Sequence, residues 1–146
     1  MKTEIPESNF LTAVLTGIAI TIAAGAILFP LVYLAFSAYF ELYVFTDPPP
    51  DAWIKDMLLV VVFCVWILVA TAAGGWACAG VSKRDEYSHA LFLAILWTVI
   101  AFLFQLYFAK EEFYITLSGI ALGITGYFAG TGLRIRKKRK ARQTAK

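Results

Sequence analysis

The chain has 146 residues, of which 60% are hydrophobic and 16% are charged, with a formal net charge of +3 and a mean hydropathy of +0.73. These values exclude a soluble globular domain and indicate a membrane protein. Cys64 and Cys78 lie in one apolar segment about 21 Å apart along a helix, so no disulfide between them is expected.

The first predicted membrane span covers residues 10–36. The apolar run continues toward Phe45 and so exceeds the roughly 20 residues that a bilayer requires. We therefore expect an aromatic-rich extension beyond the membrane and a kink near Pro30. Three consecutive prolines in TDPPPD, at 46–51, end the helix.

Three further apolar runs follow, separated by the charged segments SKRDEY and AKEE. The predicted spans are 53–79, 88–109 and 113–133. Such short connections predict that consecutive helices are antiparallel neighbours. The expected fold is all-α, an integral membrane antiparallel four-helix bundle over residues 1–135, followed by a basic cytosolic tail over residues 136–146.

Charge predicts the orientation of this bundle. The two termini and the turn after the second span share one side, which carries eleven basic residues, whereas the other side carries only Lys55 and Lys110. The positive-inside rule then places both termini in the cytoplasm.

Small residues recur on three of the four predicted spans. Because lipid-immersed helices associate where small residues allow close approach, these positions are candidate packing faces. They are Gly17 and Gly25 on the first span, Gly74 and Gly75 on the second, and Gly119, Gly123, Gly126 and Gly130 on the fourth. The sequence leaves open whether these faces pack within the chain or against a partner helix or second copy.

Two tryptophans fall near the middle of their spans. Trp66 and Trp97 are expected at similar depth, and each indole N–H needs an acceptor in the hydrocarbon. Thr71, Thr98 and backbone carbonyls are the candidates.

The middle of each predicted span lacks Asp, Glu, Lys, Arg and His. This argues against the small multidrug transporters, which depend on a glutamate in their first helix. Gln105, Thr98 and Thr116 remain as the lining of a possible weakly polar cavity. No motif for a metal, a cofactor or a catalytic group is present, so we expect none of these. His89, the only histidine, is expected to cap a helix and to lie among lipid headgroups.

The tail after the fourth span is strongly basic. Cations next to a membrane attract anionic headgroups, by about 1 kcal/mol each. The predicted lipid contacts are Arg134, Arg136, Lys137, Lys138, Arg139, Lys140 and Arg142. Because no aromatic residues are interleaved, nucleic acid is not an expected ligand. We expect the tail to be unstructured or a fraying extension of the fourth span.

The segment around the second connection carries a resemblance. GG at 74–75, AG at 79–80, basic residues at 83–84 and HA at 89–90 are similar to the junction in uncharacterised small bacterial membrane proteins with four spans. The resemblance implies a multi-pass protein of the bacterial inner membrane and no assigned activity.

Two functions fit these features. The first is a non-enzymatic accessory or scaffold protein that is homo-oligomeric or bound to a larger membrane complex. The second is a small transporter or lipid-handling protein with a weakly polar intramembrane cavity.

Overall fold

The computed structural model describes residues 10–44, 52–82, 85–108 and 113–144, and these contain four α-helices and no strand. The helices are α1 (Phe10–Val44), α2 (Ala52–Val81), α3 (Glu86–Phe108) and α4 (Phe113–Thr144). A helix satisfies its backbone hydrogen bonds internally, which suits a chain this apolar. The predicted all-α four-helix membrane bundle is confirmed.

Within the residues that the structure describes, three helices are long and apolar enough to cross a membrane, over Phe10–Glu41, Val60–Val81 and Glu86–Leu103. The first of these extends beyond the predicted end at residue 36, and α1 continues through Pro30. The fourth predicted span, residues 113–133, is not among these three. Its passage through a membrane stays a prediction.

The order of the helices in space differs from their order along the chain. α2 packs most extensively against α4 and α1, whereas α3 packs mainly on α4 and touches α2 little. The prediction that all consecutive helices are close neighbours is therefore wrong for α2 and α3. Small residues on α2 and α4 let those two helices approach more closely than α2 and α3 can.

The direction of the helices follows from their contacts. Ile67 lies beside Gly119 and Ala72 beside Gly130, so α2 and α4 run parallel. Gly17 contacts both Cys78 of α2 and Leu93 of α3.

Most of the buried side chains that the structure describes lie in one half of the bundle. We call the half next to the 82–85 turn the turn half; its described part comprises residues 10–25, 66–82, 85–97 and 119–133. The opposite half, residues 27–41, 57–65, 99–107 and 116–118, is the far half. Among the far-half side chains that the structure describes, only Tyr39 is buried.

The basic segment is helical. α4 continues without a break from its apolar part to Thr144. Of the two forms expected for residues 136–146, the structure has the extension of the fourth helix over the part that it describes, and an unstructured tail is excluded for 136–144.

Candidate functional site at the turn end

The contact between α1 and α2 depends on a reciprocal pair of glycines. A methyl group added at Gly17 would lie 3.3 Å from the carbonyl oxygen of Gly74, and one at Gly74 would lie 2.8 Å from the carbonyl oxygen of Gly17. Thr21 lies beside Gly74 and donates its hydroxyl hydrogen back to the Gly17 carbonyl at 2.8 Å. The two backbones therefore touch where the sequence predicts a smooth face.

The contact between α2 and α4 is closer still. A methyl group at Gly75 would overlap the backbone of Tyr127, and one at Gly130 would overlap the carbonyl of Ala72. Thr131 donates a hydrogen bond of 3.1 Å to the Gly75 carbonyl. Gly126 faces Thr71 and the carbonyl of Leu68.

The remaining predicted glycines lie next to aromatic or branched side chains of neighbouring helices. Trp66 Nε1 donates to the Gly25 carbonyl at 2.9 Å, and Trp97 Nε1 donates to the Gly119 carbonyl at 3.3 Å. Gly123 faces the Trp97 indole. Of the acceptors expected for the two indoles, backbone carbonyls are the ones used. All eight predicted glycines thus face other helices of the same chain.

A polar cluster closes the turn between α2 and α3. Asp85 has a positive φ of 54° and directly precedes α3. His89 Nδ1 donates to the Asp85 carbonyl oxygen at 2.7 Å, because a carbonyl can only accept, and Ser82 Oγ lies 3.2 Å from the same nitrogen. The Asp85 carbonyl also accepts from the backbone N–H groups of Ser88 and His89, so this bond fixes the imidazole without capping a free N–H group, and the expected capping role of His89 stays a prediction.

The expected position of His89 among lipid headgroups is wrong. Its side chain is only 3% exposed, and the Phe10 ring lies 5.0 Å from the imidazole, centroid to centroid. Phe10 also packs edge-on against Phe92. The start of α1 therefore covers the histidine.

Lys138 joins the basic helix to this turn. Its Nζ donates to the carbonyls of Ala79 at 2.6 Å and Ser82 at 3.0 Å, and lies 3.1 Å from Glu86 Oε1. Ala79 belongs to the last turn of α2, whose carbonyls lack helical donors. One lysine thus caps α2 and ties α4 to the first residue of α3.

Two further basic residues share one aromatic ring. The guanidinium carbon of Arg134 lies 5.3 Å and Lys137 Nζ lies 5.6 Å from the ring centre of Trp76, within the range of cation–π attraction. Arg134 also lies beside Gly80, where a methyl group would be 3.5 Å from Nε. This Nε is buried and has no hydrogen-bond partner among the described residues.

The other predicted lipid-contact residues point away from the bundle. Their side chains are exposed: Arg136, Arg139, Lys140 and Arg142. We call these four residues the basic face. Lys137 is exposed as well, although it reaches Trp76.

Two clefts flank Trp66, both with apolar walls. A cleft of about 200 Å³ lies between α1, α2 and α3, with Trp66 and Trp97 in its wall. A second, of about 320 Å³, lies between α1 and α2 in the far half. Neither is lined by Thr98 or Thr116, and the Thr98 hydroxyl donates to Ala94 in its own helix at 2.9 Å. The Gln105 side chain lies outside the described part.

Sequence reasoning named Arg134 and Lys138 but missed their protein partners, Trp76 and Glu86. A signal was present: Gly126 and Gly130 are followed by Arg134 and Lys138 at steps of four, so the face that packs on α2 continues into the basic segment. Within the described residues, no group of three His, Cys, Asp or Glu side chains is arranged to hold a metal ion.

The chain was compared with models of protein families, with curated proteins and with solved structures, and nothing matched in any of the three comparisons. The resemblance to small four-span bacterial membrane proteins stays a prediction.

Proposed function

We propose that this protein is a non-enzymatic accessory or scaffold protein of the bacterial inner membrane, with both termini in the cytoplasm. Its contact surface is the basic face, which is directed at the anionic headgroups of the inner leaflet.

One observation carries this proposal: α4 extends the packed bundle as a single helix to Thr144. The three contacts of Lys138 fix the base of this extension to α2 and α3. Arg142 lies about 12 Å beyond Arg134 along the helix. The earlier residues of the basic face therefore lie within roughly one Debye length of Arg134. The cations are therefore presented on an ordered helix.

The packing of the glycines supports a folded monomer as the functional unit. The predicted faces on α1, α2 and α4 contact one another within the chain. A homo-oligomer held by these glycines would have to separate them first. Contact with a larger complex is therefore proposed through the basic face and not through the glycines.

The distribution of charge supports the proposed orientation, since eleven of the 13 basic residues share one side. A reporter that is active only outside the cytoplasm, fused after residue 49 and separately after residue 146, tests it. We expect a signal from the first fusion alone. The reverse pattern would contradict the proposed orientation.

Binding of the detergent-solubilised protein to liposomes tests the basic face. A variant with R136Q, R139Q, K140Q and R142Q keeps Lys138 and hence the cap on α2. We expect it to float poorly with phosphatidylglycerol liposomes, and we expect wild-type binding to fade as salt rises.

The control variant is K55Q/K110Q, which removes both cations of the opposite side. It should bind like the wild type. If the four-residue variant floats like the wild type, and if salt does not weaken flotation, these cations serve only to set the topology.

A lipid-handling function is the second candidate, favoured by the cleft of about 200 Å³ at Trp66 and Trp97. Its polar wall groups are paired internally: both indoles donate to backbone carbonyls, and Thr21 bonds to Gly17. Such walls favour a hydrocarbon chain over a polar solute. Brominated acyl chains should then quench a single-tryptophan variant that retains Trp97. Quenching no greater than that of tryptophan octyl ester in the same mixed micelles would remove this candidate.

A further inference from the structure

Two basic residues of α4, which lie next to the end of α2, lack an acidic partner among the described residues. Arg134 and Lys137 both lie over the Trp76 ring, 5.3 and 5.6 Å from its centre. The one ion pair found in the described part of the chain joins Lys138 to Glu86, and it uses neither of them. Cation–π attraction to a single ring leaves both positive charges in place.

The buried donor of Arg134 makes this arrangement more specific. The Nε donor of Arg134 is shielded from water and has no partner among the described residues. Burying part of a charged guanidinium in this way costs free energy. The guanidinium passes beside Gly80, where the lack of a side chain leaves ordinary contact distance to Nε. A ligand on the outer nitrogens of the guanidinium would not reach Nε, but it would neutralise the charge that Arg134 and Lys137 leave uncompensated.

We propose that Arg134 and Lys137, held over Trp76, form a binding site for the phosphate group of an anionic phospholipid headgroup. The planar guanidinium matches the oxygens of a phosphate, and the lysine adds a second positive charge. The inference rests on the proposed function, because it requires this end of the bundle to lie at the inner leaflet.

The position of Trp76 favours a lipid over a free phosphate ion. It lies five residues before the end of the apolar segment Val60–Val81, one to two turns inside the helix. Tryptophan prefers this depth, where the hydrocarbon meets the headgroups. A lipid bound here keeps its acyl chains against the apolar helices while its phosphate reaches the two cations. Lys138 takes no part, because its ammonium group already has three partners.

The test compares two variants with the same loss of charge. R134Q/K137Q removes the proposed site, and R139Q/K140Q removes two cations of the basic face. Short-chain phosphatidylglycerol is titrated into the full-length protein in a neutral detergent, and bound lipid is counted by native mass spectrometry. We expect the dissociation constant to rise at least roughly tenfold more for R134Q/K137Q than for R139Q/K140Q.

The lipid source is tested in the same titration. An equal concentration of inorganic phosphate should displace little bound lipid, and phosphatidylcholine should bind at least roughly tenfold more weakly. Displacement by inorganic phosphate at equal concentration would overturn the lipid assignment.

The outcomes separate this inference from the proposed function. Equal losses in the two variants would overturn the site at Trp76 but leave the basic face as a diffuse lipid contact. Unchanged binding in both variants would overturn the site and the proposed lipid contact together. If R134Q/K137Q fails to fold, K137Q is compared with K140Q, since both lysines are exposed. The site again predicts the larger loss for K137Q, and equal values would overturn it.

Discussion

The turn half and the far half are both rich in apolar residues but differ in how these residues are used. In the turn half, the fully enclosed side chains are mostly small, such as Ala13, Thr71, Cys78 and Thr131, each at 0% exposure. In the far half, large side chains point outward, as with Ile27 at 74% and Leu31 at 62% exposure.

The difference follows from the solvent. A large apolar side chain gains little by leaving lipid for protein, so it does not drive helices together. Small residues allow backbones to touch and hydroxyl groups to bond across helices, and the turn half has these features. The turn half therefore sets the fold, while the far half supplies a surface that suits the hydrocarbon.

Trp66 marks the boundary between the halves. Its indole bonds to Gly25 on α1, and an apolar cleft opens on each side of the ring. α1 and α2 touch at the Gly17 and Gly74 pair but leave open space beyond Gly25. The close contact between α1 and α2 thus ends at Trp66.

The largest expected effect contrasts two Gly→Ala substitutions. Gly75→Ala should destabilise the protein by about 1–3 kcal/mol, because the new methyl group overlaps the Tyr127 backbone, which cannot rotate away. Gly25→Ala should change stability by no more than about 0.5 kcal/mol, since its methyl group would lie 3.7 Å from the Trp66 ring, an ordinary contact. Thermal unfolding in one detergent measures both. Equal shifts would mean that α2 and α4 are not in backbone contact.

The next effect concerns the cap at the turn. Lys138→Met should cost about 1–2 kcal/mol, because it leaves the Ala79 and Ser82 carbonyls without their charged donor. Lys140→Met, on the exposed face of the same helix, should stay within about 0.5 kcal/mol. The same unfolding measurement applies.

Glu86→Gln separates the two roles of Lys138. It removes only the partly exposed ion pair and should cost about 0.5 kcal/mol. If Glu86→Gln costs as much as Lys138→Met, the ion pair and not the cap joins α4 to the turn.

A similarly small effect is expected at the boundary residue, Trp66. Trp66→Phe should cost about 0.6 kcal/mol, the average for a hydrogen bond inside a membrane protein. Tyr107→Phe, which removes a polar group from a side chain 76% exposed in the far half, should leave the unfolding midpoint unchanged. A larger loss for Tyr107→Phe would reverse the comparison between the halves.

Much of the bundle could be predicted from the sequence, because hydropathy and glycine spacing report directly on membrane helices. The approximate extents of the four helices and the smooth faces on α1, α2 and α4 followed from such patterns, whereas the acceptors of Trp66 and Trp97 stayed open between threonines and backbone carbonyls. The pairing of α2 with α4 did not. Small residues on three helices can match in several combinations, and the short connections favoured the wrong one for α2 and α3.

The turn end was predicted only in part. The run of charge named Arg134 and Lys138 among seven predicted lipid contacts, but it did not indicate their contacts within the chain, because a basic run usually points into solvent. Their contacts with Trp76, Ala79 and Glu86 depend on how α4 lies on α2. The burial of His89 likewise depends on Phe10, which is distant in sequence and reaches it only through the packing of α1 on α3.

The two native cysteines provide the most direct test of the comparison between the halves. Cys78 is completely buried in the turn half, whereas Cys64 is partly exposed in the far half. N-ethylmaleimide, which enters membranes and micelles, should modify the folded protein at Cys64 first, slowly because hydrocarbon disfavours a thiolate, and should reach the protein-enclosed Cys78 only after unfolding. Intact mass and peptide mapping over a time course distinguish the two sites. Equal labelling rates in the folded protein, or faster labelling of Cys78, would contradict a core that is confined to the turn half.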